Sequence, residues 1–132
     1  MFGVFNTFPD FINRIIVSQK LNLNYAIVIY SKFFISILKI LKFEGYIDNI
    51  FLFNYLNFKF IIIKLKYYNN FPVIRFFKKI SKSGFKIYKK YKFIQNYMNG
   101  LGIIIVSTNL GLITNKLCKI IGIGGELICY VF

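Results

Sequence analysis

The chain has 132 residues, enough for one compact domain or two small ones, and 57% of them are hydrophobic, which excludes a disordered chain. Eighteen basic residues against four acidic ones give a formal net charge of +14, which favours nucleic acid or an anionic membrane as the partner. There is no histidine, so the commonest general base of enzymes is missing and an enzyme is not expected.

Two segments in the first half carry apolar residues at helical spacing. Residues 8–20 form the first, after Thr7, whose hydroxyl can cap the helix, and residues 34–41 form the second. Ser31 can cap the second helix, and Gly45 is suited to end it as the glycine that follows a helix C-terminus. The sequence therefore predicts two amphipathic helices in this half.

Three strand patterns accompany these helices. The uncharged run 25–30 predicts a buried strand between them, and residues 46–53 and 58–67 predict two strands around a polar turn at 54–57. A second turn is indicated at 69–72, where an Asn-Asn pair precedes a Phe-Pro pair. The first half is thus predicted to have the element order α-β-α-β-β.

The second half is predicted to consist mainly of strands. It opens with a basic stretch at 75–92 that contains a turn at 81–84. The elements predicted after it are a strand at 103–107, a loop at 108–111, a short strand ending at 113, a helix at 115–121 that Thr114 can cap, and a strand at 126–132. We therefore predict an α+β protein with an N-terminal α-β-α-β-β subdomain (1–74) and a small β-rich C-terminal subdomain with one short helix (75–132).

The basic stretch 75–92 is the strongest electrostatic feature of the chain. It holds eight basic residues interleaved with five aromatic ones. Its lysines are suited to contact RNA phosphates, and Tyr88 is suited to stack or to form a hydrogen bond. The candidates for phosphate contact are Lys82, Lys86, Lys89 and Lys90. Such contacts position a protein on RNA without reading its sequence, and the alternative is a solvated pair of surface strands.

Two loops without basic residues are candidates for the contacts that discriminate between RNA sites. The candidate residues are Ser107, Thr108 and Asn109 in the first loop, and Gly124, Gly125 and Glu126 in the second. Short hydroxyl and amide groups reach 2′-hydroxyls, phosphates and base edges, and glycines allow a close approach of the backbone. Phosphate would repel the Glu126 carboxylate, so this group either accepts a hydrogen bond from a base or ribose or holds its own turn. The alternatives are an ordinary hydroxyl-rich turn for the first loop and a structural turn carboxylate for Glu126.

Other classes of site find little support in the sequence. Cys118 and Cys129 are too few for a disulfide framework and wrongly spaced for zinc, so both are expected to be buried thiols. The glycine turns match neither a dinucleotide fingerprint nor a phosphate-binding loop, so we expect no cofactor, no metal and no small-molecule substrate.

The longest uncharged run, 93–115, contains polar residues and glycines, so no membrane-spanning segment is expected. A basic protein at an anionic membrane surface is the rival interpretation.

Several motifs, in order along the chain, resemble one family of ribosomal proteins. Residues 80–88 (ISKSGFKIY), 102–113 (GIIIVSTNLGLI) and 124–131 (GGELICYV) resemble the signature of the bacterial-type eighth protein of the small ribosomal subunit. Shorter matches in the first half are Asp10 with Arg14, Ser31 with Lys32, and residues 42–47 (KFEGYI). The resemblance runs from about Phe8 to Phe132 without large gaps.

This resemblance implies a two-domain α+β protein that binds the central domain of small-subunit rRNA, supports its assembly and contacts neighbouring ribosomal proteins. It implies that the principal RNA contacts, in the C-terminal domain, are Lys86, Tyr88, Ser107, Thr108, Asn109, Gly124, Gly125 and Glu126. It implies secondary contacts in the N-terminal domain at Arg14, Ser31 and Lys32.

The composition bears on the compartment. Phe, Ile, Lys, Asn and Tyr, whose codons are AT-rich, dominate the chain, and we therefore expect an organelle-encoded product. No targeting segment is recognised, so we expect that the protein stays where it is made or that a presequence has been removed. Residues 80–88 look more like mitochondrial than plastid relatives. A mitochondrial ribosome is therefore expected, with a plastid or an apicoplast as the alternative.

Overall fold

The structure is a computed structural model that describes residues 8–82 and 84–132, so the predicted Thr7 cap and the turn residue Ser83 lie outside the described residues. The chain divides into two compact units, with the boundary after Val73. Helices and antiparallel sheets are combined in this chain, which confirms the predicted α+β class. No helix in the described residues is long and apolar enough to cross a membrane.

The N-terminal unit has the predicted element order. Its elements are α1 (Phe8–Lys20), β1 (Tyr25–Ile29), α2 (Lys32–Phe43), β2 (Ile47–Tyr55) and β3 (Phe58–Leu65). The central strand of the sheet is β3, which pairs antiparallel with β1 on one side and with β2 on the other. A short hairpin that the sequence did not predict follows, formed by β4 (Tyr67–Tyr68) and β5 (Phe71–Pro72).

Apolar side chains at helical spacing hold the two helices in this unit. The ring of Phe11 on α1 stacks on that of Phe34 on α2, with centroids 4.4 Å apart. Ile15 of α1 and Leu38 of α2 are completely buried, and Val28 of β1 is buried with them. Burying one such side chain contributes about 1.5–3 kcal/mol, so this packing, more than helix propensity, fixes the helices.

Both hairpin turns of the N-terminal unit are tighter than the sequence predicts. The β2–β3 turn consists of Leu56 and Asn57 alone, whose φ angles are 48° and 67°. Asn69 and Asn70, with φ angles of 51° and 66°, form the same kind of turn between β4 and β5. Two left-handed residues in succession give the turn whose twist matches antiparallel strands. The Phe-Pro pair predicted as part of a turn is therefore paired strand.

The two ends of α2 differ in how well they follow the prediction. Gly45 has a φ of +85° just after the helix, as predicted for a C-terminal glycine. Ser31 occupies the N-cap position with an extended backbone, but its side chain makes no cap hydrogen bond. Ser31 is therefore the N-cap residue, as predicted, but its hydroxyl is not committed to the helix.

The C-terminal unit is an antiparallel sheet with one short α-helix among its described residues. Its elements are β6 (Phe77–Lys79), β7 (Tyr88–Lys89), β8 (Ile103–Thr108), β9 (Gly111–Thr114), α3 (Asn115–Ile121) and β10 (Gly125–Val131), with 3-10 turns at Tyr91–Phe93 and Met98–Gly100. The strand order is β6-β10-β8-β9, and β7 also pairs with β10. Strand β10 therefore joins the basic stretch to the hydroxyl-rich loop.

The core of the C-terminal unit lies between this sheet and α3. Ile94, Val106, Cys118 and Leu127 form one buried cluster. Cys118 and Cys129 are free and buried, as predicted, and burial raises the pKa of the Cys129 thiol well above its ordinary value. Such thiols act as packing groups, because the reactive thiolate is suppressed.

Candidate nucleic-acid interface

Three strands of the C-terminal unit bring Tyr88, Glu126 and Ser107 side by side. Glu126 on β10 pairs with Tyr88 of β7 on one side and with Ser107 of β8 on the other. Residues directly opposite each other on antiparallel strands project from the same face, with Cβ atoms about 4.5–5.5 Å apart. The arrangement, which we call the Tyr-Glu-Ser row, therefore sets one carboxylate between two hydroxyl-bearing side chains. Tyr88 is exposed, and Glu126 and Ser107 are half-buried.

Two glycines allow the backbone strands around this row to approach closely. A Cβ at Gly125 would collide with the carbonyl oxygen of Ser107 and lie 3.0 Å from its carbonyl carbon. A Cβ at Gly124 would lie 2.7 Å from the Cα of Lys90 and 3.0 Å from the backbone nitrogen of Tyr91. These distances are shorter than van der Waals contact, so both positions require glycine. The structure thus gives these two predicted site residues a packing function, which the sequence did not indicate.

The loop after Ser107 is a tight turn held by the side chain of Thr108. Its hydroxyl donates a hydrogen bond to the Gly111 carbonyl (2.8 Å) and accepts one from the Leu110 backbone nitrogen (3.2 Å). The proton of this hydroxyl is therefore used within the turn, and an external group is left an acceptor site. Asn109 stands exposed at the tip. Within the predicted Ser-Thr-Asn loop, Ser107 and Asn109 are thus better placed than Thr108 to donate to a ligand.

The predicted phosphate-contacting lysines are spread along the chain before and within β7. Lys86 comes two residues before Tyr88, and the half-buried Ile87 lies between them. Lys89 is paired with Gly125 and projects from the face opposite to that of Tyr88. Lys82 lies at the turn before them, where it forms a bridge with Phe85. Each of these lysines is exposed, so their charges reach solvent around the row.

Two buried polar side chains, missed by the sequence reasoning, hold these elements in place. The Ser81 hydroxyl donates to the carbonyl of Leu127 and accepts from the backbone nitrogen of Ile87 at 3.1 Å. Asn115 is completely buried; its amide oxygen accepts from the Ile104 nitrogen at 3.2 Å, and its amide nitrogen donates to the Gln95 carbonyl at 3.3 Å. Ser81 lies in a predicted turn and Asn115 at the start of a predicted helix, where polar residues are common. The sequence therefore gives no sign that these two side chains form buried hydrogen bonds.

Replacing Asn115 with alanine should destabilise the protein strongly. The change leaves the Ile104 N–H and the Gln95 carbonyl without their partner in a buried region, and each such group costs about 1–3 kcal/mol. We expect the free energy of unfolding, measured by urea denaturation, to fall by about 2–4 kcal/mol. The neighbouring exposed variant Lys116→Ala is the control and should change it little. Equal stability of the two variants would show that the Asn115 amide is dispensable.

The remaining predicted site residues belong to the N-terminal unit. Arg14 is exposed on α1, and Lys32 is exposed at the first position of α2, next to the half-buried Ser31. Ser31 and Lys32 are adjacent at the helix N-terminus, where backbone N–H groups favour anions. The row and the lysines of the C-terminal unit therefore form one cluster of candidate residues, and these three residues form a separate set.

Residues 6–132 match the family described as ribosomal protein S8. The chain belongs to the ribosomal protein S8 family. This membership confirms the resemblance that the sequence motifs indicated. It also confirms that the chain is not an enzyme, because the family consists of structural ribosomal proteins.

Relatives in this family match over nearly their whole length. The small ribosomal subunit protein uS8 of Neisseria meningitidis serogroup C (strain 053442) is 42% identical over 123 residues, covering 92% of this chain and 93% of the relative. The protein of the same name from Legionella pneumophila (strain Lens) is 40% identical over 123 residues with the same coverage. That from Wigglesworthia glossinidia brevipalpis is 40% identical over 129 residues. All three organisms are bacteria, so the expected organellar compartment stays a prediction.

Proposed function

We propose that the protein is a structural constituent of the small ribosomal subunit that binds the central domain of small-subunit rRNA and supports its assembly. The Tyr-Glu-Ser row is the observation that carries this proposal. It places neutral hydroxyl groups and one carboxylate within a strongly basic unit. Such groups can distinguish one RNA structure from another, whereas lysine charges attract every RNA. Neighbouring ribosomal proteins are the expected protein partners.

The charge of the C-terminal unit supports an RNA partner. Residues 74–132 contain ten basic side chains and a single acidic one, Glu126. Lysines near phosphates release counterions from RNA, which supplies affinity without sequence selection. Exposed Lys82, Lys86 and Lys89 lie along the chain before and within β7, next to the row. They provide the non-specific part of the binding free energy.

The row and the adjacent turn supply the discriminating contacts. The Ser107 hydroxyl and the Asn109 amide can donate to base edges, phosphates and 2′-hydroxyls, and exposed Tyr88 can stack. The Glu126 carboxylate repels phosphate, so it favours RNA that presents a 2′-hydroxyl or an amino group at this point. A regular run of phosphates would offer the Glu126 carboxylate no hydrogen-bond donor. The row therefore selects for an RNA surface with donors at a defined position.

The N-terminal unit supplies secondary contacts in this proposal. Lys32 and the uncommitted Ser31 hydroxyl at the start of α2 offer a cation and a donor to a phosphate, and Arg14 offers a guanidinium on α1. These groups would contact RNA or a neighbouring ribosomal protein. Losing them should weaken assembly less than losing the row.

In this proposal the protein belongs to the ribosome of an organelle. The mitochondrion is the proposed organelle, and a plastid or apicoplast is the alternative. The amino-acid bias toward AT-rich codons is what supports it. Sequencing the genome that encodes the chain and isolating ribosomes from the fractionated organelles test the assignment. Finding the gene on a bacterial chromosome would overturn this part alone and leave the ribosomal function intact.

The double change of Ser107 and Thr108 to alanine should weaken binding to a central-domain rRNA fragment. We expect a loss of about 1–3 kcal/mol, since each polar contact contributes around 1 kcal/mol and the turn also loses its two internal hydrogen bonds. Filter binding against the wild type measures it. Thr108→Ser, which retains the hydroxyl, is the matched control and should bind nearly as the wild type. Unchanged tight binding of the double variant would refute the assignment of this loop.

Competition between rRNA and anionic vesicles separates the proposal from the membrane rival. A basic protein that acts at a membrane surface would leave the RNA fragment for phosphatidylserine vesicles at low salt, because only its charge attracts it to either partner. We expect the protein to stay on the rRNA fragment and the Ser107 and Thr108 variant to shift toward vesicles. Preference of the wild type for vesicles would overturn the proposed function.

A further inference from the structure

A recess of about 930 Å³ lies in the C-terminal unit beside the Tyr-Glu-Ser row. Its walls are the end of β7, the 3-10 turn that follows, and the glycines between α3 and the start of β10. The residues that line it include Lys89, Lys90, Tyr91, Lys92 and Phe93. A volume of this size lies within the range of about 300–1,000 Å³ that is usual for ligand pockets. Tyr88 lines it too, so the recess and the row share one residue.

The backbone of this recess is fixed by specific packing. The Phe93 nitrogen donates to the Lys90 carbonyl at 2.9 Å, which closes the 3-10 turn. Ile94, immediately after the turn, is buried in the core of the unit with 2% of its surface exposed. On the other wall, Gly124 lies against the backbone of Lys90, where a Cβ would come within 2.7 Å. The recess is therefore built by the fold.

Two aromatic rings in the recess are not used by the core. Phe93 is 64% exposed and Tyr91 36% exposed. Within the described residues, neither ring is stacked on another aromatic ring. Tyr91 lies over Gly122, about 4.0 Å from the position that a Cβ would take. A large apolar ring that remains exposed beside a rigid wall offers a flat face to a ligand.

The charges of the recess select the chemistry of that ligand. Three of the residues that line it are lysines, and none of its lining residues carries a carboxylate. A purely apolar ligand would leave these lysines without partners, and a bare phosphate would leave the rings unused. A nucleotide carries both an anionic phosphate and a flat base, and stacking of a base on an aromatic ring tolerates every base.

We infer that the recess binds one unstacked nucleotide of the bound RNA, with its base against Phe93 and Tyr91 and its flanking phosphates against Lys89, Lys90 and Lys92. This inference rests on the proposed RNA-binding function and adds a second subsite to it. Tyr88 lies at the edge of both sites, so a strand leaving the row passes directly into the recess. None of Lys92, Tyr91 and Phe93 was a candidate in the sequence reasoning.

Substitution of Phe93 tests the stacking in the full-length protein bound to a central-domain rRNA fragment. Phe93→Ala should weaken binding about 5- to 140-fold, the range that loss of one stacked base gives. Phe93→Leu keeps apolar volume but has no aromatic face, so it should bind nearly as weakly as Phe93→Ala. Phe93→Tyr keeps the aromatic face and should retain binding close to that of the wild type. Phe85→Ala is the matched control, because the Phe85 ring is 69% exposed, as the Phe93 ring is 64% exposed, but Phe85 does not line the recess.

Cross-linking identifies the occupant directly. Irradiation of the complex made with 4-thiouridine-substituted RNA should yield a nucleotide cross-linked to the peptide containing Tyr91 and Phe93. Wild-type affinity of Phe93→Ala, together with weakened binding by Ser107→Ala, would overturn the recess and leave the RNA function standing. Failure of the wild type to bind the fragment would overturn both. Saturation of the recess by AMP alone, without competition from the RNA, would overturn an RNA nucleotide as the occupant.

Discussion

Replacing Gly125 with alanine should both destabilise the protein and abolish specific rRNA binding. The added methyl group would collide with the Ser107 carbonyl and lie 3.3 Å from the Thr108 Cα, so β10 and β8 must separate at this point. Both neighbours are backbone atoms, which cannot rotate away as a side chain does. We expect the free energy of unfolding to fall by about 3 kcal/mol, the upper range for overpacking a well-packed site.

The effect on RNA follows from the pairing. Glu126 and Ser107 are opposite each other only because Gly125 lets the strands approach, so the displaced strand carries Glu126 out of the row. Urea denaturation and filter binding on the same preparation give the two quantities. Gly84→Ala is the control, because a Cβ there has nothing within 4 Å, and it should change neither strongly. If Gly125→Ala binds the rRNA fragment as the wild type does, the row is not the specific site.

The helices could be predicted because their signal is local. Apolar residues at a 3.6-residue period give α1 and α2, and Phe11, Ile15, Leu38 and Leu41 are indeed buried. Strands were also found where apolar runs are bounded by turn residues. The β4–β5 hairpin was missed because strands of two residues have no period to detect. Turn lengths were overestimated because left-handed φ values at Leu56 and Asn57 are set by strand pairing.

The Tyr-Glu-Ser row could not be derived from the sequence, because strand register is a tertiary property. The β8–β10 pairing shifts by one residue between Leu127 and Cys129, so no count along the chain would have placed Glu126 opposite Ser107. The family resemblance named Tyr88, Ser107 and Glu126 as separate residues. Their common face, and the use of the Thr108 hydroxyl within its own turn, come from the three-dimensional arrangement.

The second large effect should come from neutralising lysines of the C-terminal unit. Lys86→Gln with Lys89→Gln removes two exposed charges from the chain segment that contains Tyr88 of the row. Each phosphate contact contributes about 0.7–0.9 to the slope of log affinity against log salt, so the double variant should lower that slope by about 1.5. Affinities for the rRNA fragment and for unrelated RNA should fall together, because phosphate contacts carry no sequence information.

A control variant that removes the same number of charges distinguishes direct phosphate contact from the effect of net charge. Lys20→Gln with Lys39→Gln removes two exposed charges from the helices of the N-terminal unit, away from every candidate residue in sequence. Long-range attraction depends on net charge and affects both double variants alike, whereas counterion release depends on direct contact with phosphate. We therefore expect the Lys86 and Lys89 variant to lose salt dependence and the helix variant to retain it. Equal slopes in the two variants would mean that Lys86 and Lys89 do not touch phosphate, and that the protein is attracted to RNA only by its total charge of +14.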